Sequence, residues 1–454
     1  MPLQVATPFP PPAPRRHLAP LAWALAAALS GCTALAPQHA ALPETPVPQA
    51  WTTQVASPYA LAAPVAASLA QWWDRFNDAQ LTALITQALQ ANTDVRSAQA
   101  ALLQARALRD VRSASLLPAV GTSASARRSQ SGSNDPANSF QAGFDASWEP
   151  DVFGGNRSAV NAAEADAQAA QASLASVQVS IAAEVAVTYM ELRGLQARLA
   201  IARGNLAAQR ETLQLSRWRA QAGLVSSLDV EQAVAASEQT SAQIPSLQTS
   251  AAQALSSLAV LTGQAPGALQ ATLAAAAAVP QAPADLALAL PADTLRQRPD
   301  VRAAERRISA ALARVAQADA ARYPGFQLGG SLGLNALTLG ALTSGASVVR
   351  SLLASVSVPL FDGGAARAQV RAQEAALEQA RVAYQGTVLT ALKDVEDALV
   401  SLQGNRERLA RLQAAVEAAG NADLLARQRY ASGLIDFRSV LETQRTLLST
   451  QDSV

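Results

Sequence analysis

From Ser158 to Ala222 the chain runs without a proline, is rich in alanine and is closed by Gly223. Its large apolar residues keep a seven-residue beat, with Leu174, Ile181 and Leu195 on one row and Val185, Leu192, Leu199, Leu206 and Leu213 on the other. That spacing is a coiled-coil seam. It predicts one helix over 158–222, which at 1.5 Å per residue reaches roughly 100 Å and is too long for a small globular core. Residues 365–432 repeat the plan, again proline-free and again ending before a glycine, Gly433. Returning helices are predicted over 227–262 and 437–454.

Ahead of each rod the period changes from seven to two. Val120, Thr122, Ala124 and Ala126 alternate with Gly121, Ser123, Ser125 and Arg127, and Phe140, Ala142, Phe144, Ala146 and Trp148 alternate with Gln141, Gly143, Asp145 and Ser147. The second half does the same from Phe326 to Leu334 and from Leu352 to Leu360. The predicted strands are about 119–128, 139–150, 325–335 and 350–361. An apolar face backed by a polar one over about ten residues suits a transmembrane barrel strand with lipid outside and water inside. A small soluble sandwich uses the same alternation. In lipid, four strands cannot close a barrel without unpaired edges, so the missing strands must come from other copies of the chain.

The halves form an internal repeat at about 206–210 residues. Asn92-Thr93-Asp94-Val95-Arg96 answers to Arg298-Pro299-Asp300-Val301-Arg302, and Pro118 and Pro324 stand 24 residues beyond the two aspartates. The first repeat spans 69–265, a proline- and alanine-rich connection and equatorial belt spans 266–290, and the second repeat spans 291–454. Its last helix is about 20 residues shorter than its counterpart. Gly154, Gly155, Gly363 and Gly364 mark the strand-to-rod turns, where glycine supplies backbone freedom. No lysine or glycine-rich fingerprint follows them, which disfavours a phosphate-cradling loop.

Composition narrows the chemistry. The 454 residues are 50% hydrophobic and only 4% aromatic, as narrow alanine-rich helix packing requires. The net charge is +1, with Lys393 the sole lysine, so nothing marks a nucleic-acid partner. One cysteine and two histidines, His17 and His39, leave little for metal or nucleophile chemistry, so neither an enzyme nor a cofactor is expected. Arg15-Arg16-His17, the apolar run Leu18–Leu29 and Ser30-Gly31-Cys32 have the order of a secretory signal over 1–31. Leu29-Ser30-Gly31-Cys32 also resembles a lipoprotein box, which makes Cys32 the acylated residue and 32–68, with six prolines, an extended tether.

Several motifs resemble the outer-membrane efflux proteins, the channel components of tripartite export pumps. They are Trp73, Phe76, Asp78, Leu81, Leu84 and Asn92, then Arg298-Pro299-Asp300-Val301-Arg302-Ala303-Ala304-Glu305, Pro359-Leu360-Phe361-Asp362-Gly363-Gly364, and Arg429-Tyr430 before Gly433. With Cys32 the chain is similar to their lipoprotein branch, of the NodT type. The resemblance implies a mainly α protein with a small β part. Three protomers would give four β-strands each to a trimeric 12-stranded transmembrane β-barrel, and their helices to a long coiled-coil α-helical barrel. It implies a homotrimer lipid-anchored in the outer membrane, meeting a periplasmic adaptor and an inner-membrane transporter of the proton-driven resistance-nodulation-division type.

It further implies a periplasmic tip and gate at Gly223, Asp229, Tyr430, Gly433 and Glu442. Asp229 would tie neighbouring helices together with Tyr430, and Glu442 would give one carboxylate per subunit to a cation-selective ring. Asp229 and Asp436 equally suit helix caps, and Glu442 a solvated helix face. The leading expectation is a passive duct for drugs and other small toxic compounds. A periplasmic adaptor or coiled-coil scaffold lipoprotein is the alternative, and a type I secretion or metal-efflux duct would share the fold.

Overall fold

The computed structural model describes residues 42–43, 47–52, 71–132, 135–281 and 295–454. The signal segment, Cys32, most of the tether and residues 282–294 lie outside the described residues. A 3-10 turn (Trp72–Phe76) leads into α1 (Ala79–Ala91), α2 (Thr93–Ala114), β1 (Ala119–Ser129), β2 (Ala137–Trp148), α3 (Gly155–Gln221) and α4 (Ser227–Leu261). After a single turn, α5 (Gln270–Leu273), the second half brings α6 (Pro299–Ala320), β3 (Gly325–Ala336), β4 (Val348–Ser357), α7 (Ala365–Ala431) and α8 (Phe437–Ser453). Contacts divide the chain into two units, and α2, α3, α6 and α7 belong partly to each.

The first unit holds the sheet, in the order β1-β2-β3-β4 with every pair antiparallel. The register keeps even-numbered residues on one face and odd-numbered residues on the other. Thr122, Phe144, Leu332 and Arg350 stand in one row on the even-numbered face, and Gly121, Asp145, Ser331 and Ser351 in the next on the odd-numbered face. Every residue of β1 and β4 is exposed. Gly143 and Gly333 face each other in the register, and a Cβ on Gly143 would lie 2.8 Å from the Gly333 Cα. β4 starts and stops earlier than its alternation predicts, ending at Ser357 ahead of Pro359. Proline has no N–H to extend a ladder.

In the second unit the seam residues carry the packing. Ile181, Val185, Leu192, Leu195, Leu206 and Leu213 are buried, and Leu174 and Leu199 are half-buried. Around the first part of this seam Leu81, Ile85, Val95, Leu258 and Leu273 complete one core. A polar clamp crosses it. Arg193, 1% exposed, donates to the Ala275 carbonyl at 2.8 Å, to Gln196 at 2.7 Å and to Gln80, while Gln196 donates to the Leu273 carbonyl at 2.7 Å. The Tyr189 hydroxyl donates to Asp78 at 2.9 Å, and burial pushes that phenol above its ordinary pKa, so it stays a neutral donor. The clamp thereby fastens both α1 and the residues after α4 to α3.

α4 holds an interior proline, Pro245. It ends at Gly263, whose φ is +71°, with Gly263 N–H on the Val260 carbonyl at 2.9 Å and Gln264 N–H on the Ala259 carbonyl at 2.7 Å. This is a Schellman cap. A Cβ there would lie 2.5 Å from the Ala91 carbonyl oxygen, whereas at Gly267, with φ +92°, nothing stands within 4 Å. Gly267→Ala should therefore cost only the left-handed strain, about 1 kcal/mol. Gly263→Ala adds a backbone clash and should cost about 3 kcal/mol or more. Thermal melting of the two variants checks the order, and equal losses would refute the packing argument.

Candidate functional site

Two turns that follow long helices, one per repeat, carry the residues expected at a periplasmic tip, and both lie in the second unit. α3 and α7 end alike. Gly223 N–H reaches the Ala220 carbonyl at 3.0 Å and Leu224 N–H the Arg219 carbonyl at 2.8 Å, and Gly433 and Leu434 do the same with Tyr430 and Arg429, both at 2.9 Å. Gly223 and Gly433 adopt φ of +75° and +78°, the left-handed conformation that this cap needs and that glycine adopts most cheaply. The next helices start with side-chain caps. Ser226 and Asp229 form a reciprocal capping box, with the Ser226 N–H and hydroxyl on Asp229 Oδ2 at 3.0 and 2.8 Å. Asp436 accepts from the Ser439 N–H at 3.0 Å and hydroxyl at 2.7 Å.

Tyr430 is buried at 3% exposure, its ring edge-on to Phe437 with centroids 5.8 Å apart. Its hydroxyl meets Ser216 Oγ at 3.3 Å. The expected tie between Asp229 and Tyr430 is therefore not made within the chain. Ser226 takes up the aspartate, and Ser216, fully buried on α3, takes up the phenol. The residue that does join the two turns is Arg219, which sequence reasoning missed. Its guanidinium lies 4.4 Å from the Tyr430 ring centroid and donates to the carbonyls of Tyr430 and Ala431 at 2.8 and 2.7 Å. It thus satisfies two terminal carbonyls of α7 where the helix dipole favours a cation.

Glu442 sits exposed on α8, and its carboxylate has no hydrogen-bond or ion-pair partner among the described residues. The rest of α8 is held against α3: Gln444 donates to Thr212 at 3.2 Å, Asn205 to Gln451 at 3.0 Å, and Arg198 to Asp452 at 2.6 and 2.9 Å. Leu224, Leu228 and Leu434 are exposed at the turns.

The strand-to-rod turns lie in the first unit. Gly154, Gly363 and Gly364 have φ of +78°, +64° and +88°, whereas Gly155 opens α3 without a positive φ. Two aspartates cap the rods, Asp362 of the family motif and Asp151, which sequence reasoning missed. Asp151 accepts from Asn156 and Arg157 N–H at 3.0 and 2.8 Å, and Asp362 from Gly364 and Ala366 N–H, both at 2.8 Å. The Ala366 and Gly364 donors hold the Asp362 carboxyl below the usual range. The available signal was an aspartate close before each glycine pair, Asp151 ahead of Gly154 and Asp362 directly before Gly363. Phe153 stacks on Tyr323 beside this turn, centroids 4.9 Å apart.

A family model described as outer membrane efflux protein matches residues 84–264 and 290–454. The chain is 31% identical over 436 residues to nodulation protein T of Rhizobium leguminosarum bv. trifolii, covering 94% of this chain and 91% of that protein. It is 32% identical to the pyoverdine export outer membrane protein OpmQ of Pseudomonas aeruginosa, with 86% and 84% covered. The solved outer-membrane channel OprN superposes with a TM-score of 0.83 at 35% identity, covering 90% of this chain and 93% of that one.

Two outcomes follow from this geometry. Arg219→Ala should lower the melting temperature more than Tyr430→Phe, because it removes the donor to the Ala431 carbonyl, one of two donors to the Tyr430 carbonyl and a cation–π contact, where the other removes one long hydroxyl contact; the reverse order would refute the assignment. Ser439 holds the Asp436 carboxyl below the usual range, so its capping contribution is complete above the unfolded value of about 3.9 and is lost as pH falls through the lower folded value. Hydrogen exchange at the Ser439 amide should stay slow down to about pH 4 and quicken below it, and Asp436→Asn should abolish that pH step.

Proposed function

This chain belongs to the outer membrane efflux protein family, and from that membership we propose that it is the passive outer-membrane duct of a tripartite export pump, acting as a homotrimer. The observation that carries the proposal is the sheet: four strands, two free outer edges, and an even-numbered face that is almost wholly apolar. In a bilayer those edges need partners, and twelve strands from three copies supply them without leaving an edge. Members of the family are ducts, and no chemistry is assigned to this one.

On this proposal the helices of three copies form a tunnel in the periplasm, and the turns at Gly223 and Gly433 meet the adaptor. The exposed Leu224, Leu228 and Leu434 there offer apolar contact to a periplasmic adaptor, which links the duct to a proton-driven inner-membrane transporter of the resistance-nodulation-division type. Acylation at Cys32 adds a lipid anchor. The cargo is drugs and other small toxic compounds, chosen upstream by the transporter. Relatives at similar identity are named for pyoverdine export and for nodulation, which supports a duct that does not itself select cargo.

Glu442, exposed and unpaired, then contributes one carboxylate per subunit to a ring that repels itself and favours cations. The purified protein should run as a heat-modifiable trimer and give cation-selective conductance in planar bilayers. Glu442→Ala should reduce the cation preference while the trimer persists. Unchanged selectivity and conductance would sink the ring, and a water-soluble monomer without conductance would sink the duct.

A further inference from the structure

The even-numbered face of the sheet carries only two charged residues, Arg128 on β1 and Arg350 on β4. Both are exposed, and neither has a hydrogen-bond or ion-pair partner among the described residues. No acid stands on that face. The carboxylate of the sheet, Asp145, lies on the odd-numbered face, where Ser123 donates to it at 3.0 Å. Position along the strands is equally one-sided. The helices join the sheet at the end bearing Trp148, Phe326 and Ser357, whereas both arginines lie toward the opposite end, where loops connect β1 to β2 and β3 to β4. Arg128 is the next-to-last residue of β1 and Arg350 the third of β4.

An arginine facing lipid is costly at the bilayer midplane and nearly free at the interface, where its head reaches polar groups. Two unpartnered guanidiniums on an otherwise apolar face, with no acid near, match an anion that lies at the same depth. In a bilayer that anion is a headgroup phosphate, which guanidinium binds in bidentate fashion. β1 and β4 are also the two edge strands. Resting on the trimeric barrel proposed above, each β4 meets the next protomer's β1, so Arg350 of one copy and Arg128 of its neighbour fall on one seam. The site is incomplete in a single chain.

We propose that the three seams between protomers bind phosphorylated lipid of the outer leaflet through Arg128 and Arg350, so that lipid and protein close the barrel together. The full-length trimer in nanodiscs is compared by native mass spectrometry for retention of bis-phosphorylated lipid A and of its dephosphorylated form, with heat-modifiability measured on the same samples. Wild type should prefer the phosphorylated form roughly tenfold or more. Arg128→Ala/Arg350→Ala should lose that preference, and Arg127→Ala, on the odd-numbered face, should keep it. A trimer that retains both lipids equally, or a double variant with undiminished preference, overturns the proposal while leaving the duct intact. Inorganic phosphate displacing the lipid at low millimolar concentration would reveal a non-specific anion site and equally overturn it. A wild-type protein that forms no trimer overturns both readings.

Discussion

Every backbone N–H and C=O removed from water needs a partner, and this requirement shapes the protein at both scales. At the large scale it acts on the sheet, where β1 and β4 each present one unpaired edge and every residue of both strands is exposed. At the small scale it acts on helix ends. The chain meets it with glycine where the carbonyl end needs a left-handed residue, at Gly223, Gly263 and Gly433, and with Ser226, Asp436, Asp151 and Asp362 where the amide end needs an acceptor. The same accounting places Arg219, which serves two carbonyls of the second rod from the first.

Packing supplies the second layer of the explanation. Alanine on the rods allows close approach, and the heptad leucines, valines and isoleucines bury against α1, α4 and α8, so helices far longer than a globular core keep one packed side and one wet side. Within that apolar setting the few buried polar side chains act between segments. Arg193 and Gln196 fasten the linker residues Leu273 and Ala275, and Ser216 and Thr212 receive Tyr430 and Gln444. Each of these contacts joins positions that only the fold brings together.

That separation sets what could be seen in the chain beforehand. Rods, strand alternation, glycine turns and the twofold repeat were legible because each is a periodicity or a local backbone need, readable within a turn or a pleat. The family motifs were legible by resemblance. The partner of Tyr430 was not, since a tyrosine on a helix carries no mark of whether a serine or an aspartate will face it. Asp229 sits three residues after Ser226, and within the chain that local pattern, a capping box, takes up its carboxylate. The end of β4 differs from its alternation, which continues through Val358 and Leu360, because Pro359 lacks the N–H to extend the ladder and the strand stops at Ser357. Arg128 and Arg350 were hidden in plain alternation until the register placed them on one face.

The interior proline of α4 breaks the hydrogen-bond ladder of that helix. Pro245 has no N–H to give the carbonyl of Ser241 and its ring crowds the preceding turn, so α4 has a soft joint near its middle. A load applied at the turn after α3 runs along the first returning helix to that joint and is relieved there by bending.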